Sequence, residues 1–118
     1  MSGREAIVLA VLRGERPLED LRQAGVGLTI EGPMVLVDPN DVRVAPTTAD
    51  VARGLLAYEG RGDDRRRWAF AMVAGDFLDL DPLTADPDGG LLLSALWDAS
   101  FGDPLPDDAR AAARRLAH

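Results

Sequence analysis

Hydrophobic positions change period twice along this chain. From Ala6 to Leu12 they run without interruption, and apolar residues fall all round a helix drawn through them, so the segment reads as a buried helix. Ser2 and Glu5 ahead of it have capping-box spacing, and Gly14 closes it. Pro17 opens a second, short helix that turns Leu18 and Leu21 inward and ends at Gly25. The period then drops to two. Leu28 and Ile30 alternate with Thr29 and Glu31, Gly32-Pro33 breaks the run, and Met34 to Val37 is apolar. Asp38-Pro39-Asn40-Asp41 is a turn sequence, after which Val42 and Val44 alternate with Arg43 as far as Pro46. Connections this short forbid crossovers, so three runs predict a three-stranded antiparallel meander.

Helical spacing returns at Thr47, which caps a helix with Asp50 at its third position and Val51, Leu55 and Tyr58 on one face. Gly60-Arg61-Gly62 ends it. The next helix starts at Asp63 or Asp64 and runs to about Leu80; it is apolar on both sides from Trp68 to Ala74, as a central helix would be. Asp86-Pro87 opens a third, through Leu92, Leu93, Leu96 and Trp97 to Gly102. Ala109, Ala112, Ala113 and Leu116 form the stripe of a terminal helix. The fold class expected is α+β: two short N-terminal helices, a three-stranded antiparallel meander, then a C-terminal bundle of about four helices. A single globular domain over residues 1–118 is expected, with the helix pair and small sheet in 1–46 and the helical half in 47–118. Trp68 and Trp97 are both expected inside that half.

Composition agrees with one globular domain: 118 residues, 47% hydrophobic and 28% charged. It also removes much chemistry. There is no cysteine, which excludes disulfides, thiol catalysis and cysteine-ligated zinc. The one histidine is the terminal His118, and there is no lysine, so Ser2, Ser94 and Ser100 have no interior base and no Schiff base can form. No catalytic residue, metal or cofactor is assigned; whether the chain is an enzyme stays open, with the balance against it. The apolar run of Ala6 to Leu12 falls far short of the roughly 20 residues that span a bilayer, and no small-residue cleavage site follows it. A cytoplasmic protein without a membrane partner is expected. Arginine without lysine, and aspartate far above glutamate, fit a GC-rich, bacterial-like coding sequence.

Charge is the feature that points outward. A net charge of −7 opposes binding to phosphate backbones, and the acids among the first two helices leave no basic face for a helix-turn-helix. Residues 68–109 hold nine aspartates and no base, and all six aromatics lie between Tyr58 and Phe101. This predicts a non-enzymatic acidic module that binds a protein with a basic surface, on the logic of immunity proteins and antitoxins that neutralise basic nucleases. The partner-binding residues expected are Asp76, Asp79, Asp81, Asp86 and Asp88, with Trp97 as anchor. Arg110, Arg114 and Arg115 are the cations able to fold back on those acids. Two alternatives remain: a small-ligand or peptide-binding domain using a sheet edge or an inter-helix pocket, and a small enzyme or enzyme subunit working with carboxylates. A homo-oligomer is left open.

Two local motifs read more simply. Aligning Gly89 with the glycine of a calcium-binding EF-hand loop puts Thr84 and Ala95 at its two ends, where ligands are needed, so Asp86 and Asp88 read as cap and turn. Gly60 to Arg67 resembles a phosphate loop in composition. However, Asp63 and Asp64 occupy the turn where an anion would sit, and the arginines that follow can pair with them.

Overall fold

The computed structural model of the protein describes residues 3–117, so the cap expected from Ser2 and the terminal His118 lie outside the described residues. Helix α1 spans Gly3–Leu12. It stops in a Schellman closure, with Gly14 at φ 78°, Gly14 N–H donating to the Val11 carbonyl and Glu15 N–H to the Ala10 carbonyl. A 3-10 helix, Leu18–Ala24, packs beneath α1 and ends at Gly25, also left-handed. Strands β1 (Leu28–Glu31) and β2 (Met34–Val37) form an antiparallel hairpin in which Glu31 faces Met34, turned by Gly32 at φ 59°. Four further α-helices follow: α2 (Thr48–Ala57), α3 (Asp63–Ala74), α4 (Pro87–Ser100) and α5 (Asp107–Leu116). A second 3-10 helix, Asp81–Ala85, leads into α4.

The α+β class stands, but the expected three-stranded meander with a four-helix bundle does not. The sheet has two strands only. Asp38 N–H still donates to the Gly27 carbonyl, but Pro39 has no N–H to continue the ladder. Asn40 then redirects the chain: its side-chain amide reaches the Gly75 carbonyl and its Oδ1 accepts from Val42 N–H. Val44 therefore pairs in parallel with Leu78, receiving Asp79 N–H and donating to the Phe77 carbonyl. Val42, Val44 and Pro46 are buried while Asp41, Arg43 and Ala45 are exposed, so the alternation is real and only the partner differs. For the same reason α3 ends at Ala74 rather than near Leu80: residues 77–79 are extended to meet Val44. Nor do the helices form a separate bundle. Strand β2 packs on α3, α1 packs on α2, and one hydrophobic core joins residues from both halves.

Helix α2 is the element through which the rest is joined. Thr47 and Asp50 make a reciprocal capping box at its start. Asp50 is buried, and its Oδ1 also accepts from Arg13 Nε at 2.7 Å, so one carboxylate holds the end of α1 to the start of α2. Burial pushes the Asp50 carboxyl up, but the Thr47 N–H and the Arg13 guanidinium outweigh it and hold the carboxyl below the usual range. One turn along, Gly54 lets α1 and Trp68 of α3 close in together. A β-carbon there would overlap the Leu12 carbonyl oxygen and stand 2.5 Å from Trp68 Cζ2. Trp68 is 1% exposed and stacks on Tyr58 with centroids 4.9 Å apart.

Two outcomes follow from this joint. Helix propensity alone would make Gly54→Ala stabilising by about 1 kcal/mol. The packing predicts a loss of ~2–4 kcal/mol instead, read as a lowered urea midpoint at unchanged slope. Asp50→Ala should cost about 2–3 kcal/mol at neutral pH. Because the folded-state pKa is depressed, that stabilisation is present above the unfolded value near 3.8 and is lost as pH falls through the folded one. Urea midpoints of parent and variant should therefore begin to approach one another as pH falls below about 3.8 and meet only below the depressed folded value.

Candidate functional site

Two grooves flank helix α4 near its C-terminal end. The first, of about 580 Å³, is lined by Asp76, Asp79 and Asp81 together with Arg43, Leu93 and Trp97. Its acids are brought there by the departure from the expected fold. Once α3 stops at Gly75, Asp76 takes φ 57°, a left-handed conformation that aspartate tolerates better than most residues. The extended segment then sets Phe77 and Leu78 in the core and leaves Asp76 and Asp79 exposed. Asp81 follows at the start of the second 3-10 helix and is exposed as well. Arg43 pairs with Asp76 at 3.3 Å, an exposed contact that leaves the groove with one cation against three carboxylates.

Trp97 is not inside the helical half, where it was expected; it is 50% exposed. Leu92, Leu93 and Leu96 of α4 are buried, and Trp97 lies about 100° further round the helix than Leu96. Phe101, the C-cap of α4, is 69% exposed, a second large apolar side chain at the end of the helix, turned to the other groove. The position of Trp97 beside Leu93 showed only that the two share a face; it did not show where that face meets solvent.

The other two predicted acids are used differently. Asp86 caps α4, its side chain accepting from Asp88 N–H at 2.9 Å. Asp88 pairs with Arg115 of α5 through both carboxylate oxygens, at 3.1 and 3.2 Å. Two of the three C-terminal arginines thus pair with the acidic segment: Arg115 with Asp88, and Arg110 with Asp107, the latter arginine also holding Glu59 outside it. Neither Asp86 nor Asp88 lines the groove that holds Asp76, Asp79 and Asp81.

The second groove, of about 690 Å³, lies between the start of α3 and the end of α4, with Gly62, Arg65, Arg66, Phe101, Pro104 and Arg110 among its walls. Composition had suggested arginines pairing with nearby acids. Arg67 does so, with Asp64 at 2.9 Å. Arg65 does not. It is only 8% exposed, makes no ion pair among the described residues, and donates one hydrogen bond, from Nη1 to the Asp103 carbonyl at 2.6 Å. Its Nη2 is buried without a partner. Burial lowers the pKa of this guanidinium, opposed at longer range by Glu59, Asp103 and Asp98. No sequence pattern marks this one arginine among the run Arg65-Arg66-Arg67; only helix phase buries it.

Among the described residues no group of three or more histidine, cysteine, aspartate or glutamate side chains is placed to hold a metal ion. No helix among them is long and apolar enough to cross a membrane.

The two tryptophans should behave oppositely. Trp68→Ala is expected to cost ~3–5 kcal/mol, and Trp97→Ala less than about 1.5 kcal/mol, since half of its surface is already in water. Urea unfolding checks both. In the folded protein, acrylamide should quench one tryptophan readily and the other hardly at all. Compared with known proteins, the chain matches no family model, no curated protein and no solved structure.

Proposed function

We propose that the protein is a non-enzymatic binding module whose α4 groove docks a protein with a basic surface. The observation that carries this reading is the half-exposed Trp97 set beside Asp76, Asp79 and Asp81. A large amphipathic ring in a recess, with a rim of one charge, has the composition of an interface anchor inside a steering field. The acids raise the encounter rate with a cationic partner, and desolvation of the indole holds the complex once formed. This is how a small acidic inhibitor of a basic enzyme would work. Asp86 and Asp88 keep a minor part: the first is held by its capping bond and the second by Arg115, so they add to the field without reaching the groove.

The reading is checked by stopped-flow fluorescence anisotropy with a dye-labelled oligolysine peptide as the cationic probe, a readout that does not depend on Trp97. Replacing Asp76, Asp79 and Asp81 together by asparagine preserves the left-handed tolerance at position 76 and should slow association by roughly tenfold at low salt. An equal change of charge at the exposed Asp38, Asp41 and Asp108 should slow it much less. Both effects should shrink as salt rises. Trp97→Ala should accelerate dissociation and leave the association rate nearly unchanged. If the two triple variants associate equally fast, binding follows net charge alone and the groove is not the docking site.

A further inference from the structure

Arg65 poses a separate question. A guanidinium is always charged and carries five donors, and burying one without a counter-ion is costly unless something else complements it. Arg65 is nine-tenths buried, with one hydrogen bond from Nη1 and an orphaned Nη2. It lines a groove large enough for a small organic molecule. Two further features of that groove are fitted to an anion. Helix α3 begins at Gly62 with no side chain capping it, so the positive end of its dipole opens on the groove. Arg66 adds a second guanidinium to the wall. Two acids share the wall: Glu59, which is paired with Arg110, and Asp63, which sits in the first turn of α3 and competes with any anion for its dipole. Phe101, the most exposed large apolar side chain described, forms part of the same wall.

We propose that the groove between the start of α3 and the end of α4 binds a small organic anion, its carboxylate or phosphate head on the Arg65 guanidinium and its apolar body against Phe101. The planar fork of arginine suits either head group, and a flat apolar body gains by covering the phenyl ring. The site is independent of the acidic groove: it holds neither Trp97 nor Asp76, Asp79 or Asp81. It also gives a reason for a buried cation in a turn that Asp63 and Asp64 alone would have made a solvated helix start.

The competing explanation is structural. The bond from Arg65 to the Asp103 carbonyl ties α3 to the turn after α4, and a cation there complements the C-terminal end of α4. Arg65→Met separates the two. It keeps the length and apolar stem of the side chain and removes the charge. Thermal unfolding is followed for parent and variant with inorganic phosphate, phenyl phosphate, acetate and benzoate, chloride holding ionic strength constant. The parent should show a saturable rise in Tm, of several degrees at high ligand excess, with phenyl phosphate or benzoate. A response to the phosphate pair alone identifies a phosphate ligand, and one to the carboxylate pair alone a carboxylate. Arg65→Met should abolish the response while leaving the ligand-free Tm equal or higher. Phe101→Ala should weaken phenyl phosphate or benzoate by about three- to tenfold and leave the head group alone unaffected. No saturable response in the parent overturns the proposal. So does an unchanged response in Arg65→Met, or a ligand-free Arg65→Met protein several degrees less stable than its parent.

Discussion

Everything in this protein hangs on how closely three helices approach at one point. Gly54 of α2 has no side chain, and the space a β-carbon would need is taken by the Leu12 carbonyl oxygen and the edge of Trp68. The indole in turn stacks on Tyr58, which completes α2 as its C-cap. A gap of one methyl group would separate α1 from α2 or push Trp68 outward, and interiors packed at crystal density do not absorb such a change locally. Asp50 secures the same joint from the polar side by satisfying the first turn of α2 and the Arg13 guanidinium with one carboxylate. The apolar and the ionic fastening lie one helical turn apart, which makes the α1–α2 junction a fixed reference for the helices that follow.

Much of this was legible in the residues, because the signals are local. Thr47 with Asp50, Asp86 with Pro87, and Gly14 and Gly25 each specify a helix end through chemistry within a few positions, and each end lies where that chemistry puts it. Alternation at Val42 and Val44 correctly told which side chains face inward. It could not tell which backbone they pair with, because a period of two is common to antiparallel, parallel and isolated strands. The choice was made by Pro39 and by the Asn40 side chain reaching Gly75, a contact across 35 residues. Phe77 and Leu78 suffered the same ambiguity from the other side: an apolar pair after a helix reads equally well as one more turn or as a short extended run.

The candidate sites were less legible, for a related reason. Counting charge along the chain found the acidic segment but weighted the five aspartates chosen from its nine equally. Only tertiary structure divides them, sending Asp76, Asp79 and Asp81 to one groove while Asp86 is spent on a cap and Asp88 on Arg115. Trp97 was misplaced because four-residue spacing gives a shared face without fixing the angular edge of the buried stripe. Arg65 gave no signal at all. It stands in a run of three arginines, and the one that is buried is decided by the phase of α3 against the turn after α4.

The end of α4 also separates charges that would otherwise cancel. Trp97 and Phe101 lie one turn apart and face different grooves, the first lined mainly by aspartates and the second holding three arginines among its walls. Between them lie Asp98, which is partly exposed, and the buried Ala99 and Ser100, so the two rings are separated by the width of the helix end alone. Arg65 is buried with no carboxylate bonded to it among the described residues, while Glu59, Asp103 and Asp98 act on it only at longer range. Arg67 shows the cheaper arrangement two residues away, bonded to Asp64 at the surface. The contrast between these neighbours on one helix, one guanidinium paired at the surface and one buried with an orphaned Nη2, is the physical basis of the anion site proposed at Arg65.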